Sequence, residues 1–290
     1  IQSLINTLRL IFHTILPKNK LGDKIYSFLN FIVNHHGRFP RNRMLFQDYM
    51  YKMKTSNEMI NPLRIFITDK EFGKMYIKDV LGDEFNVLTL KILRTYQEVL
   101  NYKFPSECVI KPTHMSGHII IKKNSDQIDL KKIQKWFSLN WYNRSREINY
   151  KTLKPKVIVE PIVFNNINIK DYKFFCYKGV PKLILVDFDR YVNGGKNHRR
   201  KYLNTNWEDQ NFSILYPRYE GNIDKPLNLD TMLSVITKLA ASTNLSFIRI
   251  DTYTDNQKIF IGEITNLHGN ASEHFYPASG EKLCSKIIFS

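Results

Sequence analysis

Residues 247–265 read Phe247-Ile248-Arg249-Ile250-Asp251-Thr252-Tyr253, then a turn around Asp255-Asn256, then Lys258-Ile259-Phe260-Ile261-Gly262-Glu263-Ile264-Thr265. Two apolar runs alternating with polar residues and separated by turn formers predict two antiparallel strands, Phe247–Tyr253 and Lys258–Ile264. Such a hairpin can bring Asp251 and Glu263 side by side. Two carboxylates in one place cost free energy unless a cation stands with them. Carboxylate oxygens suit Mg²⁺, which keeps waters and substrate phosphates in its shell. The same pair on a solvated hairpin needs no metal, so the pattern alone leaves both readings open.

Working outward, Tyr172–Tyr177 and Lys182–Asp187 flank Lys178-Gly179, a second hairpin signal. Asn228 caps a predicted helix through Ser242. Val157–Val163 reads as a buried strand, with Pro161 marking an edge or exit. Cys108–Lys111 and His118–Lys122 predict a hairpin around a small-residue turn, and Asp126–Trp141 an amphipathic helix. Asp69-Lys70 starts a helix, and a further helix is expected near Glu84–Leu100. Asn193–Asn211 reads as an irregular loop over a site. Residues 1–36 carry apolar residues at helical spacing, with Pro17 ending the first helix and Ile25, Phe28, Leu29 and Ile32 striping the second. The fold class is α+β. The expected organisation is a helical region at 1–60, a mixed region at 61–107, and two α+β units at 108–160 and 161–290.

The chain of 290 residues has 43 Lys and Arg against 27 Asp and Glu, a net charge of +16. That excess suits a polyanionic partner: a phosphorylated substrate, an anionic membrane or a nucleic acid. The basic charge is scattered and no nucleic-acid-binding motif is present, so nucleic acid is set aside. Three distant cysteines without a CxxC argue against zinc and disulfides, and a cytoplasmic setting is expected. No apolar run approaches the ~20 residues of a membrane span, and no signal peptide is visible. Residues 1–60 hold nine basic and three acidic side chains. An apolar stripe with basic flanks fits a helix packed on the domain, the preferred expectation, or one peripheral on the inner face of the cytoplasmic membrane.

The candidate phosphate machinery lies upstream. Ile110-Lys111-Pro112-Thr113-His114-Met115-Ser116-Gly117-His118 puts a strand lysine before a loop whose backbone N–H groups can meet a phosphate. Glu160 closes an apolar strand. Lys173, in Asp171-Tyr172-Lys173, sits on an apolar strand where a lysine needs an anion. Taken in order, these segments, with Val186-Asp187-Phe188-Asp189-Arg190, Arg249-Ile250-Asp251 and Gly262-Glu263-Ile264-Thr265, resemble the ATP-grasp superfamily over roughly residues 20–285. They look most like its TupA-like branch, associated with bacterial surface-polysaccharide synthesis.

The resemblance implies two α+β subdomains gripping ATP. Lys111 would contact the nucleotide, and the loop with His114, Ser116 and Gly117 would close over its phosphates. Glu160 would meet the adenine or ribose, and Lys173 the phosphate oxygens or an acyl phosphate. Asp251, Glu263 and Thr265 would hold Mg²⁺, and Arg249 would lie near the transferred phosphate. Thr265 departs from the Asn usual in the superfamily, and Met115 stands where relatives tend to have glycine. The implied activity is that of a carboxylate–amine ligase working through an acyl phosphate. It would join an amino acid or small carboxylic acid to a sugar of a nucleotide- or lipid-linked glycan. Arg190, Arg199 and Arg200 are the expected substrate contacts. The competing reading is a glycosyltransferase using Asp187-Phe188-Asp189 as a metal-binding DxD.

Overall fold

A computed structural model describes residues 11, 13–35, 37–41, 44–124, 126–167, 169–188 and 198–290. Four helices come first: α1 (Lys20–Asn34), α2 (Phe46–Thr55), α3 (Pro62–Thr68) and α4 (Lys70–Leu81). Side-chain caps fix three of their starts. Asn19 accepts from the Gly22 N–H, Asn61 from Leu63 ahead of Pro62, and Asp69 from Glu71. Each cap satisfies one of the N–H groups that a helix start leaves without a partner.

The next segment holds β1 (Lys91–Leu93), α5 (Tyr96–Asn101), β2 (Cys108–Pro112), β3 (Ile120–Lys122), α6 (Leu130–Ser138), α7 (Tyr142–Ser145) and β4 (Val157–Glu160). Its strands make an antiparallel sheet in the order β1-β4-β2-β3. The helix expected over Glu84–Leu100 is therefore not formed. A 3-10 turn at Asp83–Phe85 leads into β1, which pairs Lys91 with Val159 and Leu93 with Val157, and Thr95 then caps α5. Pairing to β4 outweighs the helical spacing. The expected strand Val157–Val163 stops at Glu160, because Pro161 has no N–H to continue the ladder. The helix expected from Asp126 begins at Leu130, where Asp129 caps it by accepting from the Lys132 N–H.

The rest of the chain forms β5 (Asp171–Tyr177), β6 (Val180–Phe188), β7 (Arg199–Asn204), β8 (Ser213–Ile214), α8 (Leu229–Ser242), β9 (Phe247–Thr254), β10 (Ile259–Thr265), β11 (Phe275–Tyr276) and α9 (Gly280–Phe289). Five of these strands make a second antiparallel sheet, ordered β10-β9-β5-β6-β7. The irregular loop expected over Asn193–Asn211 is corrected in part. Residues 189–197 lie outside the described residues, and 199–204 form β7, which pairs with β6 from Leu183↔Asn204 to Phe188↔Arg199.

Three cores hold these layers. One face of the large sheet, with Phe174, Ile184 and Ile250, packs on α8 through Met232, Ile236 and Leu239. The opposite face, at the end carrying Phe175, Leu183 and Phe247, is covered by α2 and α9 through Phe46, Met50, Cys284 and Ile288. The small sheet packs Ile110, Val157 and Val159 against Ile133 and Trp136 of α6. The other end of that opposite face carries charged residues and forms the floor of the site.

Candidate active site

Strand alternation decides which side chains share that floor. Across β9 and β10, Ile261 faces Thr252, the register then shifts, and Glu263 faces Asp251, Ile264 faces Ile250 and Thr265 faces Arg249. The shift is a bulge at Gly262, one extra residue in β10. Without it Glu263 would stand opposite Ile250 and point into the apolar core. With it, Ile261 and Ile264 both enter the core while Glu263 joins Asp251 on the charged face. Gly262 suits the bulge, because a Cβ there would lie 2.8 Å from the Tyr253 ring.

Pairing to β5 and β6 completes the set. Lys173 stands opposite Asp251, Asp171 opposite Asp187, and Asp187 opposite Arg200. Lys173 is 2% exposed, and its Nζ donates to Asp171 and, at 2.8 Å, to Asp251 Oδ2; Asp187 Oδ2 is 3.5 Å away. Arg249 grips Asp251 with both ends of its fork, Nε to Oδ1 at 2.6 Å and Nη2 to Oδ2 at 2.8 Å. Its Nη1 donates to His268 Nδ1 at 3.0 Å, and His268 Nε2 lies 3.2 Å from Glu273 Oε2. Glu273 accepts from Arg200 Nη1 at 3.0 Å, and Arg200 Nε donates to Asp187 Oδ1 at 3.1 Å. The chain Lys173, Asp251, Arg249, His268, Glu273, Arg200, Asp187 thus closes on itself as a ring, through the 3.5 Å contact of Asp187 with Lys173.

Burial raises the pKa of Asp251, Glu263 and Glu273, but the neighbouring cations outweigh it. Arg249 and Lys173 hold Asp251 well below the usual carboxylate range. Arg200 and His268 bring Glu273 to about 2. Glu263 is also lowered, chiefly by Lys70. Burial lowers the His268 pKa, and its Nδ1 accepts from Arg249. The floor is a fixed set of charges that needs little rearrangement to meet a charged ligand.

Between the two sheets a cavity of about 600 Å³ opens over this floor. Lys70, Lys111, Lys132, His118 and Gly117 line it from one side, and Asp171, Asp251, Glu263 and His198 from the other. It adjoins an apolar slot lined by Val109, Ile119, Ile121, Ile162, Val163 and Ile167; Lys111, Asp171 and Tyr253 border both. The cleft is therefore apolar at one end and charged at the other.

The predicted residues fall unevenly on this geometry. Lys111, Gly117, Asp251 and Glu263 line the charged cavity, and Lys173 and Arg249 lie directly behind Asp251. Glu160 is 3% exposed and bonded to Lys111 at 2.7 Å and to Lys74, so its carboxylate is engaged by its own chain. His114 is turned away from the cavity: it is 2% exposed, and its Nε2 lies 3.0 Å from the Trp136 carbonyl. Met115 is buried in the small-sheet core, and its carbonyl accepts from Lys70 at 2.8 Å, so it anchors the loop. Ser116 borders a smaller adjoining cavity. Gly117, at φ +73°, has the backbone freedom to turn the chain into the charged one.

Thr265 also borders the smaller cavity, and its hydroxyl accepts from Arg249 at 3.1 Å. Asn266 is committed to Arg64 and Thr68. Arg200 is not on a loop; it lies on β7, buried, clamped between Asp187, Glu273 and the Ile214 carbonyl. Arg199, next along β7, is exposed, and Arg190 lies outside the described residues. Asp187 is 3% exposed and held by His198 at 2.7 Å and by Arg200, and Asp189 lies outside the described residues. A metal-binding DxD at this position gains no support from that burial.

The sequence reading missed Lys70, His268 and Glu273. Lys70 Nζ lies 3.4 Å from Glu263 Oε2. A lysine just after an N-cap Asp gives no hint that it reaches a strand two hundred residues away.

The donor set fits Mg²⁺ in part. Asp251 and Glu263 stand abreast as ionised carboxylates at the wall of a charged cavity; the Glu263 side chain is 31% exposed, whereas both Asp251 oxygens already accept from Arg249 and Lys173. The Thr265 hydroxyl is already engaged by Arg249. Among the described residues no group of three or more His, Cys, Asp or Glu side chains is placed to hold a metal. Phosphate oxygens and water would have to complete the shell.

The family model described as TupA-like ATP-grasp matches residues 46–288. No curated protein sequence matches the chain. Among solved structures the chain is similar to a D-alanine–D-alanine ligase from Helicobacter pylori, with 15% identity, a TM-score of 0.42 and 78% of this chain covering 58% of that one. It is similar to a phosphoribosylamine–glycine ligase from Thermotoga maritima, with 13% identity, a TM-score of 0.42 and coverage of 71% and 49%. It is also similar to an ADP complex of N5-carboxyaminoimidazole ribonucleotide synthetase, with 12% identity, a TM-score of 0.43 and coverage of 83% and 58%. The chain spans about half to three fifths of the length of these proteins.

Proposed function

The chain belongs to the TupA-like ATP-grasp family, and from that premise we propose that it is an ATP-dependent ligase joining a carboxylate to an amine. The observation that carries this reading is the cleft itself. A small, mainly apolar slot opens onto a lysine-lined cavity whose floor carries Asp251 and Glu263 abreast. Phosphoryl transfer asks for positioning and charge neutralisation more than covalent help. Lys70, Lys111, Lys132 and the backbone near Gly117 supply donors for phosphate oxygens. Arg249 and Lys173 lie behind Asp251, and their positive charge backs the floor over which a transferred phosphoryl group would gather negative charge.

Asp251 and Glu263 would hold Mg²⁺, which when bound supplies neutralisation of the phosphate charge. In the reaction a substrate carboxylate oxygen attacks the γ-phosphorus and ADP leaves. An amine then attacks the acyl carbon, phosphate leaves and the amine loses a proton. The cleft walls from β2, β3 and the loop at 113–118 shield that acyl phosphate from water. We place the pair as an amino acid or small carboxylic acid and a sugar of a bacterial surface glycan or its precursor, with the phosphorylated carboxylate on either component.

The test has two parts. Calorimetry with ATP and Mg²⁺ should show binding that Glu263→Ala weakens. Turnover with candidate acid and amine pairs should release ADP and phosphate in equal amounts. Release of AMP and pyrophosphate, or tighter binding of a nucleotide sugar than of ATP, refutes the reading.

A further inference from the structure

The first half of the apolar stripe of α1 faces outward, while Phe28 and Ile32 further along are half-buried, Phe28 against the Phe39 ring. Leu21, Ile25, Phe28 and Ile32 fall on one side of the helix at 3.6-residue spacing. The residues it buries, Gly22, Tyr26, Ser27, Asn30 and Phe31, fall on the other side. Leu21 is 67% exposed and Ile25 39%, and on the helical stretch just before them Ile15 is 71% exposed. A helix that served only to pack on the domain would turn this stripe inward.

The exposed stripe is held rigidly. Asp23 pairs with Arg146 at 2.9 Å and accepts from the Tyr142 hydroxyl at 2.8 Å. Arg146 also donates to the carbonyls of His13, Leu16 and Pro17, the last turn of the preceding helical stretch. Gly22 lets that turn sit against α1, since a Cβ there would lie 2.0 Å from the Pro17 carbonyl oxygen.

Charge identifies what the stripe meets. Lys18 falls on one flank and Lys20 and Lys24 on the other, all three exposed. Asp23 is the sole carboxylate in the sequence of residues 11–41, and it is turned inward to Arg146. A second copy of the chain would bring the same lysines against themselves. No helix among the described residues is long and apolar enough to cross a membrane. This segment also lies ahead of the family match at 46–288.

We propose that α1 and the turn before it dock this chain in the plane of an anionic lipid surface, with Ile15, Leu21 and Ile25 inserted among the acyl chains and Lys18, Lys20 and Lys24 at the headgroups. Each lysine near an anionic surface adds roughly fivefold to partitioning. The test is co-flotation of the full chain with phosphatidylcholine vesicles, with and without phosphatidylglycerol. The chain should float with the anionic vesicles and release in high salt. Leu21→Asp/Ile25→Asp should stay at the bottom, and Lys18→Gln/Lys20→Gln/Lys24→Gln should lose about a hundredfold in partitioning. Both variants should melt as the parent does, because the substituted side chains are exposed. Equal binding to neutral vesicles, flotation of Leu21→Asp/Ile25→Asp like the parent, or a dimer in solution that this variant dissociates, each overturns the proposal.

Discussion

Replacing Lys173 by Met removes the cation at the centre of the floor and nearly conserves volume. Its Nζ is bonded to Asp171 and Asp251 and stands 3.5 Å from Asp187, with the side chains of all four at most 7% exposed. Breaking a buried pair by removing one partner costs about 3–5 kcal/mol, because the other charge is left uncompensated. Here two carboxylates keep other partners, Asp251 with Arg249 and Asp187 with Arg200, which places the cost toward the lower end of that range. At about 2–4 °C per kcal/mol, the midpoint of thermal unfolding should fall by roughly 10 °C near pH 7. The control is Lys225→Met, whose partner Asp230 is 3.8 Å away and whose side chains are 50% and 91% exposed. An exposed pair of that kind contributes about 0–1 kcal/mol. The deficit of Lys173→Met also has a sign in pH. Carboxyls that lose their cation have folded pKa values above their unfolded ones, so the folded variant binds more protons and its deficit shrinks as pH falls toward 5. Calorimetric melts of both variants at pH 5, 6 and 7 read this directly. Equal destabilisation by the two substitutions, or a Lys173→Met deficit that ignores pH, refutes the reasoning.

Glu147 is buried, and burial outweighs Lys54 to raise its carboxyl from 4.5 to about 7. An acid raised on folding is protonated in the folded state while ionised in the unfolded one, so stability falls as pH rises between those values. Glu147→Gln should remove that decline in melts taken from pH 5 to 7. His114→Leu should leave ATP affinity in calorimetry unchanged, since the ring faces Trp136 and not the cavity; a large loss would place it in the phosphate loop after all. ATP should bind at least about tenfold more weakly when Mg²⁺ is chelated, about 1.4 kcal/mol, because phosphates that draw Lys70 and Lys111 away leave Glu263 and Glu160 short of charge. Equal affinity in EDTA contradicts that exchange.

The elements legible in the sequence are those whose pattern is local. Period-two runs gave the hairpins at 171–188 and 247–265, and the Asn228 start gave α8. Composition also excluded a disulfide framework, and the three cysteines are buried and free. What escaped depends on partners distant in sequence. β1 is a strand because β4 lies beside it, and its own residues give only an ambiguous helical spacing. β7 carries Arg199-Arg200-Lys201, which reads as a basic loop until its pairing with β6 buries Arg200 against Asp187. Side-by-side acids at 251 and 263 were legible, but the reason for their common face was not. One residue less or more at Gly262 reverses the direction of Glu263, and alternation alone cannot count that residue.

The same limit explains why individual site residues were less legible than the site. Sequence reading assigns each charged side chain to a ligand, whereas folding first assigns it to another side chain. Lys111 is held by Glu160, Lys70 by Glu263, Lys173 and Arg249 by Asp251, and Arg200 by Asp187 and Glu273. These pairs differ in how readily they can be exchanged. Glu263 is 31% exposed and Lys111 17%, so water and ligand reach them. Asp187, Asp251 and Lys173 are each 3% exposed or less in their side chains, so they stay as built. A ligand arriving in the cleft therefore meets two kinds of charge: an outer set, Lys70, Lys111 and Glu263, that can change partners, and an inner set, centred on Lys173 and Arg249, whose direction is fixed. On the proposed reading a ligand exchanges contacts with the first set, while the second, preorganised by its own pairs, holds the charge of the floor in place.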